Sequence, residues 1–291
     1  MKAIITDAGF ASRYLPITKT IPKAMIPIGS KPVMQLCVEE CAEAGIDEII
    51  IVATPNTKGR EIYNDYFHNP SENVRLLLEK QGKSERFEPV QKILEFPPIT
   101  VIEQDPTLPY GNGSPIVSAK SFVENDEAFV VLYSDDLILG EGDVKTLIDT
   151  YAANPNAKAV IATQEMPESV WHKYGMVALK ENGTLSHIVE KPKSPDLSPS
   201  NLTSYGRYLL TPEVFDYLVP SNTGLDGELW TVDAITRLAE HGDVVVAHSR
   251  GKWITTGDPK NYFLAHLHYV LAHTDYADDV RKYITEDYDV L

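Results

Sequence analysis

The chain has 291 residues, 43% hydrophobic and 23% charged, which is the composition of an ordinary globular protein with a substantial core. Its formal net charge of −16 at pH 7 argues against nucleic acid or an anionic membrane as the main partner. We find no signal peptide, transit peptide or apolar run of membrane length, so we expect a cytoplasmic protein.

Apolar strands alternate with helical segments through the first part of the chain. The pattern predicts a strand over 2–6, a helix over 31–44, a strand over 48–53, helices over 58–67 and 71–95, a strand over 99–103, a helix over 114–122, a strand over 128–133, a helix over 143–152 and a strand over 159–163. Such alternation is typical of a mostly parallel sheet with helices on both faces.

Beyond residue 165 the predicted strands become shorter. They cover 175–179, 187–190 and 205–210, and a proline-rich loop over 191–201 separates the last two. A helix over 233–241, a strand over 244–247 and a closing helix over 261–272 complete the pattern. Because no repeat or flexible linker interrupts it, we expect a single domain over 1–291 whose second half elaborates the first.

The first predicted strand ends in a turn of small residues that is followed by basic side chains. The turn begins at Ala8 and Gly9, and Arg13, Lys19 and Lys23 come after it. Small residues let backbone N–H groups approach a phosphate chain closely, and the cations can then neutralise it. The segment 8–23 is therefore a candidate site for a nucleoside triphosphate. It matches neither the P-loop nor the dinucleotide fingerprint, so an ordinary strand-to-helix connection with solvated lysines is the alternative.

An acidic pair, Asp135 and Asp136, follows directly after the strand predicted over 128–133. Open parallel sheets bind ligands just beyond the carboxyl ends of their strands, and strand counting places both the first turn and this pair there. A helix cap is the alternative interpretation of the pair.

Further motifs accompany these two in an order that covers nearly the whole chain. They are Ile21-Pro22-Lys23, Gly111-Asn112-Gly113-Ser114-Pro115, Tyr174-Gly175-Met176-Val177, Val189-Glu190-Lys191-Pro192-Lys193, Gly206-Arg207-Tyr208, Gly227-Glu228-Leu229 and Asp233-Ala234-Ile235. In this order they resemble the sugar-1-phosphate nucleotidyltransferases, most closely the bacterial branch that uses UTP and glucose 1-phosphate.

The resemblance implies an α/β fold: a Rossmann-like three-layer sandwich with a mostly parallel mixed central sheet and a smaller β-rich sugar-binding elaboration. It implies a nucleotide-binding half over 1–165 and a sugar-phosphate-binding half over 166–291. It also implies a homodimer or homotetramer.

Residues of the first half acquire roles from the resemblance. The set that would hold the triphosphate and the pyrimidine is Ala8, Gly9, Ala11, Ser12, Gln104 and Gly111. Arg13 would hold the triphosphate with them, and Lys23 would neutralise the phosphates during transfer. Asp135 would bind Mg²⁺, which prefers hard oxygen ligands and bridges phosphates. Without the resemblance, Gln104 could simply satisfy loop backbone.

In the second half, the resemblance implies a sugar site lined by Gly175, Glu190 and Tyr208. The Glu190 carboxylate would accept hydrogen bonds from sugar hydroxyls, and Lys191 would pair with the sugar phosphate. The alternative for Glu190 and Lys191 is a surface ion pair, which is usually worth little.

The implied reaction needs no protein nucleophile. A phosphate oxygen of glucose 1-phosphate would attack the α-phosphorus of UTP in line, expelling pyrophosphate and forming UDP-glucose. Because two polyanions must be brought together, positioning and electrostatic stabilisation would carry the rate. Mg²⁺, Arg13, Lys23 and Lys191 are the parts that bear the charge.

The chain departs from the family pattern at several positions. Ala11 stands where the turn usually has a second glycine, and its methyl group would crowd the phosphates or forbid a positive φ. Ala24 stands where Glu usually follows the lysine. Thr255 stands where the family often has a second metal-binding Asp, for which Asp258 is a possible substitute. Two alternatives stay open: a nucleotide-sugar-binding or regulatory homologue with weak catalysis, and an enzyme that uses dTTP or another hexose 1-phosphate.

Overall fold

The central feature of the molecule is a nine-stranded sheet, seen in a computed structural model that describes residues 1–224 and 227–287. The strands are β1 Lys2–Asp7, β2 Pro27–Ile28, β3 Lys31–Pro32, β4 Glu48–Ala53, β5 Ile99–Glu103, β6 Phe129–Tyr133, β7 Asp136–Leu139, β8 Ala159–Glu165, β9 Gly175–Leu179, β10 Leu185–Glu190, β11 Leu202–Leu210, β12 Val244–His248 and β13 Lys252–Thr255. The helices are α1 Val33–Glu43, α2 Gly59–His68, α3 Glu72–Lys80, α4 Glu88–Leu94, α5 Ser114–Ser118, α6 Lys120–Val123, α7 Asp143–Ala153, α8 Thr231–His241, α9 Pro259–His273 and α10 Ala277–Lys282.

The sheet runs in the order β10-β9-β11-β6-β1-β4-β5, and β8 joins β11 to β12 outside this path. β1 pairs in parallel with β4 and β6, β4 with β5, and β8 with β12. β11 runs antiparallel to β6, β8 and β9. The predicted mixed α/β sheet is confirmed, and strands from both predicted halves share it.

Buried apolar side chains alternate between the two faces of the sheet, because successive residues of a strand point to opposite sides. Ala3 and Ile5 of β1 belong to one core cluster, whereas Ile4 belongs to the other. The first cluster includes residues of α1, α2 and α7, and the second includes residues of α5, α6 and α8. Helices therefore cover both faces, which gives the predicted three layers.

Two predicted helices are divided in the structure, and one pair of strands was not predicted. The helix predicted over 71–95 divides into α3, a 3-10 turn at Ser84–Phe87 and α4, because Gly82 adopts a φ of 70° and Pro89 lies in the first turn of α4. The helix predicted over 114–122 divides into α5 and α6. The antiparallel pair β7 and β13 was missed, since strands of four residues are too short for a clear alternation.

Within the described ranges, no helix is both long and apolar enough to cross a membrane.

Candidate active site

The turn after β1 adopts a left-handed conformation that its neighbours stabilise. Ala11 has φ 46° and ψ 44°. Its carbonyl oxygen accepts hydrogen bonds from Tyr14 N at 2.9 Å and Thr18 Oγ1 at 3.0 Å. A left-handed backbone costs a residue with a Cβ about 1–2 kcal/mol. The expectation that Ala11 forbids a positive φ is therefore wrong, because this turn adopts the left-handed conformation at that cost.

A cleft of about 330 Å³ opens at the carboxyl ends of β1 and β6. It brings together the turn residues Ala8, Gly9 and Ala11 with Lys23 and Asp135. The cleft is also lined by Gln104, Tyr110, Gly111, Asn112, Glu228 and Trp230. The turn and Asp135 thus share one edge of the sheet, where strand counting places them.

Ser12 and Arg13 lie beside this cleft and do not line it. Ser12 lines a neighbouring cleft together with Lys19. Arg13 Nη1 donates to the Gly257 carbonyl oxygen at 3.4 Å. The arginine therefore reaches the loop that precedes α9.

Lys23 and Asp135 form an ion pair at the centre of the cleft. Lys23 Nζ lies 2.7 Å from Asp135 Oδ2, and the two side chains are 16% and 33% exposed. Burial of the ammonium opposes its charge, but the carboxylates of Asp135 and Asp7 raise the pKa of Lys23 above its ordinary value. Burial likewise opposes ionisation of Asp135, but the Lys23 ammonium holds the pKa of that carboxyl below its ordinary value. Both groups are charged at neutral pH.

The neighbouring carboxyl, Asp136, has a structural role. Its Oδ1 accepts from Trp253 Nε1 at 2.8 Å, and its Oδ2 accepts from Gly206 N at 3.0 Å. Burial, followed by the nearby charge of Asp135, raises the pKa of Asp136 to about 6. Asp136 thus ties β7 to β11 and β13 beneath the cleft.

Asp258, the possible substitute for a second metal ligand, caps a helix in this structure. Its Oδ1 accepts from Asn261 N at 3.0 Å, which makes it the N-cap of α9. Thr255 Oγ1 accepts from Gly257 N at 3.1 Å. The contacts of Asp258 therefore give it a capping role, and its metal-binding role stays a prediction.

The donor chemistry at Asp135 fits a hard divalent cation that is shared with a phosphate ligand. Among the described residues, no group of three His, Cys, Asp or Glu side chains is arranged to hold a metal ion. Mg²⁺ is commonly held by one or two carboxylates together with substrate phosphates and water. The partly exposed Asp135 carboxylate in this cleft meets that requirement.

Replacing Asp258 by Ala tests this assignment. Loss of the N-cap should lower the free energy of unfolding by about 0.5–2 kcal/mol, and the dependence of activity on divalent metal should stay unchanged. Asp258→Asn, which keeps a capping oxygen, should recover most of the stability. Urea unfolding and metal titration of activity measure the two effects. A lost metal dependence at unchanged stability would contradict the capping role.

Gly111 belongs to a turn whose backbone is bonded to the segment before α8. It adopts a φ of 137°, and a Cβ added there would overlap the backbone of Leu229. Leu229 N donates to the Tyr110 carbonyl oxygen at 2.8 Å, and Gly113 N donates to the Leu229 carbonyl oxygen at 2.9 Å. Only glycine fits this close approach. We call residues 110–113 the base turn, because the family resemblance implies a pyrimidine contact at Gly111.

Gly111→Ala should weaken nucleotide binding and stability together. Backbone strain alone costs about 1–3 kcal/mol, and displacement of Leu229 adds to it. Gly183→Ala is the matched control, since Gly183 has a φ of 81° with no atom within 4 Å of an added Cβ. Calorimetry with UTP and urea unfolding should show a larger loss at Gly111 than at Gly183, and equal losses would contradict the close approach.

The sugar-site candidates Gly175, Glu190 and Lys191 lie together at the facing ends of β9 and β10. A Cβ added at Gly175 would stand 2.9 Å from Glu190 Oε2. Burial raises the pKa of Glu190, and the adjacent Lys191 ammonium opposes that rise. Lys191 Nζ lies 3.5 Å from Glu190 Oε1. The structure therefore keeps these three residues as one group.

Tyr208 is not part of that group. Its side chain is 2% exposed and lies in the second core cluster. Its ring meets that of Tyr133 edge-on, with centroids 5.7 Å apart. The predicted sugar contact by Tyr208 is therefore corrected to core packing.

A buried ion pair that the sequence did not suggest lies beneath the cleft. Arg207 is 0% exposed and Glu40 is 10% exposed, and Arg207 Nη2 donates to Glu40 Oε2 at 3.0 Å. Arg207 Nη1 also donates to the carbonyl oxygens of Tyr133 at 3.1 Å and Gly206 at 3.0 Å. Glu40 Oε1 accepts from the backbone N–H of Asp143 at 2.9 Å, at the start of α7. The pair thus fixes the end of β6, two residues before Asp135.

Trp230 and Asn112 also line the cleft, although the sequence assigned them no role. Asn112 lies inside the motif over 111–115, and Trp230 directly follows the motif over 227–229. The aromatic side chain next to the 227–229 motif is the feature of the sequence that points to Trp230 as a cleft residue.

Comparison with known proteins agrees with the geometry of this cleft. The family model described as Nucleotidyl transferase matches residues 2–270. A UTP–glucose-1-phosphate uridylyltransferase of Staphylococcus epidermidis is 36% identical over 290 residues, which are 98% of this chain and 97% of the relative.

Solved structures give the same result for the fold. The UTP-bound UGPase from Acinetobacter baumannii superposes with a TM-score of 0.85 at 30% identity, covering 98% of each chain. A UDP-glucose pyrophosphorylase complexed with UDP-glucose superposes with a TM-score of 0.77 at 29% identity, covering 92% of this chain and 97% of that one. The chain therefore belongs to the nucleotidyl transferase family.

Proposed function

We propose that the protein transfers a uridylyl group from UTP to glucose 1-phosphate, producing UDP-glucose and pyrophosphate. The observation that carries the proposal is the Lys23–Asp135 pair, 2.7 Å apart, in a cleft between the turn after β1 and the base turn. The names of the relatives and the ligands in the titles of the solved structures support the choice of substrates.

The chemistry follows from the charges of the substrates. A phosphate oxygen of glucose 1-phosphate forms a bond to the α-phosphorus of UTP, and the bond from that phosphorus to the β-phosphate oxygen breaks. Pyrophosphate leaves with its electron pair, so no protein nucleophile is required. The protein's contribution is to hold two polyanions in line and to offset their repulsion.

Each cation has a proposed part. Lys23 stabilises the charge on the triphosphate, and Lys191 pairs with the phosphate of the sugar. Arg13, now bound to the Gly257 carbonyl oxygen, turns toward the triphosphate when it enters. The backbone N–H groups of the turn after β1 complete the anion site.

The resident metal is proposed to be Mg²⁺, held by Asp135 and by phosphate oxygens of the substrate. When bound, such an ion supplies positive charge to the transferring phosphoryl group. Gln104 and the backbone of Gly111 are proposed to contact the pyrimidine, and Gly175 and Glu190 to contact the hexose.

The decisive experiment is a substrate panel. The purified chain, Mg²⁺, UTP and glucose 1-phosphate should release pyrophosphate and form UDP-glucose, and Asp135→Ala should lose this activity while its circular dichroism spectrum is retained. Measurable UDP-glucose binding without turnover on any nucleotide would favour the binding or regulatory homologue. Turnover with dTTP or another hexose 1-phosphate in place of these substrates would favour the second alternative.

Three predictions from the sequence complete the proposal: a single domain over 1–291, a homodimer or homotetramer, and a cytoplasmic location. Light scattering after size-exclusion chromatography measures the oligomeric state. Cell fractionation tests the location, and limited proteolysis tests for a second independent domain.

A further inference from the structure

Trp230 places an aromatic face next to a lysine of the proposed sugar site. Lys191 Nζ lies 5.4 Å from the centroid of the Trp230 ring. Trp230 also lines the cleft that contains Lys23 and Asp135. We propose that Trp230 is a positioning residue, which holds the Lys191 ammonium at the cleft and thereby sets the affinity for the sugar 1-phosphate. This inference rests on the proposed function, because Lys191 is assigned there to the sugar phosphate.

Lys191 needs such a partner, because little else fixes its side chain. Its backbone is held in the left-handed region, with φ 47°, and its N–H donates to the Tyr174 carbonyl oxygen at 3.0 Å. The side chain is 55% exposed, and its ion pair with Glu190 is long, at 3.5 Å. A flexible lysine stem in water gains little from an exposed pair of this kind. A cation over an indole face is a stronger restraint.

Hydrogen bonds on both sides of Trp230 hold its main chain at the base turn. Leu229, which precedes Trp230, exchanges backbone hydrogen bonds with Tyr110 and Gly113 of the base turn, at 2.8 and 2.9 Å. Thr231, which follows it, donates from its backbone N–H to Asn112 Oδ1 at 2.8 Å. Trp230 is therefore anchored to the base turn at both neighbours.

This arrangement gives the ring a role beyond filling space. The base turn fixes Trp230, and Trp230 in turn fixes the ammonium of Lys191 at a set distance from the pyrimidine end of the cleft. The charge that meets the sugar phosphate is thus placed relative to the nucleotide before either substrate binds. Pre-organisation of this kind raises affinity because less side-chain freedom is lost on binding.

The first test separates the two substrates. Trp230→Leu should raise the KM for glucose 1-phosphate by about twofold to fivefold, the equivalent of a cation–π interaction of about 0.5–1 kcal/mol at an exposed lysine. The KM for UTP and kcat should change by less than about 1.5-fold, and Trp230→Phe should recover most of the loss. Lys120→Met is the matched control, since Lys120 lies 5.4 Å over the Phe215 ring outside the cleft. It should leave both KM values unchanged.

A double-mutant cycle tests whether Trp230 acts through Lys191. In a Lys191→Met background, Trp230→Leu should cause no further rise in the KM for glucose 1-phosphate. A full, additive rise in that background would show that the ring acts on its own and would overturn the positioning role. So would an unchanged KM in folded Trp230→Leu.

Fluorinated tryptophan provides a variant that keeps the shape of the ring. Fluorine withdraws charge from the indole face, so increasing fluorination should raise the KM for glucose 1-phosphate stepwise. An unchanged KM across this series would overturn the inference even if Trp230→Leu fails to fold.

Direct binding separates a failure of this inference from a failure of the proposed function. If the wild-type chain binds UDP-glucose without turnover, the proposed function is wrong. Calorimetry then tests the inference separately, because Trp230→Leu should still weaken the binding of UDP-glucose. A wild-type chain that neither turns over nor binds UDP-glucose would overturn both.

Discussion

Arg207→Met should lower the free energy of unfolding by about 3–5 kcal/mol, the usual cost of breaking a buried ion pair from one side. The substitution leaves the Glu40 carboxylate buried without its cation, and it removes the donors that serve the Tyr133 and Gly206 carbonyl oxygens. Arg207→Lys should recover little, because a point charge cannot replace a planar fork of donors. Urea unfolding at pH 7 measures the change.

Two further variants make this prediction specific. In the Arg207→Met background, Glu40→Gln should regain part of the stability, since it removes the unpaired charge and keeps an acceptor for the start of α7. Arg250→Met is the matched control, because the Arg250–Glu141 pair is 2.7 Å long but well exposed. It should cost no more than about 1 kcal/mol. If Arg207→Met cost as little as the control, the buried pair would not be what stabilises this region.

Lys23→Ala should reduce kcat/KM for UTP by about 10²–10³, the usual effect of removing one group that stabilises developing charge. Lys23 forms an ion pair with Asp135 in the cleft, so its loss removes the ammonium partner of that carboxylate and one of the charges proposed to hold the triphosphate. Lys23→Arg should be intermediate, since it keeps the charge with a different shape. Initial rates of pyrophosphate release give the values.

Lys19→Ala is the control for this prediction. Lys19 belongs to the same basic segment but lines the neighbouring cleft. Its loss should change kcat/KM by less than about tenfold, corresponding to a surface charge contribution of about 1 kcal/mol or less. The roles of the two lysines would have to be exchanged if Lys19→Ala were the more damaging variant.

Strand counting was sufficient to predict where the cleft lies. Parallel strands end at the same edge of a sheet, so the turn after β1 and Asp135 after β6 had to be neighbours. The alternation of apolar strands with helical segments predicted the layers, and buried side chains on both faces of the sheet confirm them. These are local patterns, and the sequence contains them in full.

The roles that the sequence did not predict belong to residues whose partners are distant in the chain. Tyr208 pairs in register with Val131 of β6, and that register puts its ring into the core. Arg207 finds Glu40 across 167 residues, which no spacing rule predicts. In each case tertiary contacts determine the role of the side chain, and a sequence motif does not contain those contacts.

The antiparallel pairing of β11 with β6 has a consequence for synthesis on the ribosome. The strands β1, β4, β5 and β6 pair in parallel and are complete once residue 133 has emerged. β8 and β9, however, reach that sheet only through β11, which ends at Leu210. A nascent chain that stops before β11 therefore exposes the free edge of β6 with its apolar residues, and such an edge invites pairing with other chains. We expect ribosome-bound chains from which β11, beginning at residue 202, has not yet emerged to recruit chaperones and to be cleaved by protease near β6. Protection should appear once β11, which contains Arg207, has emerged.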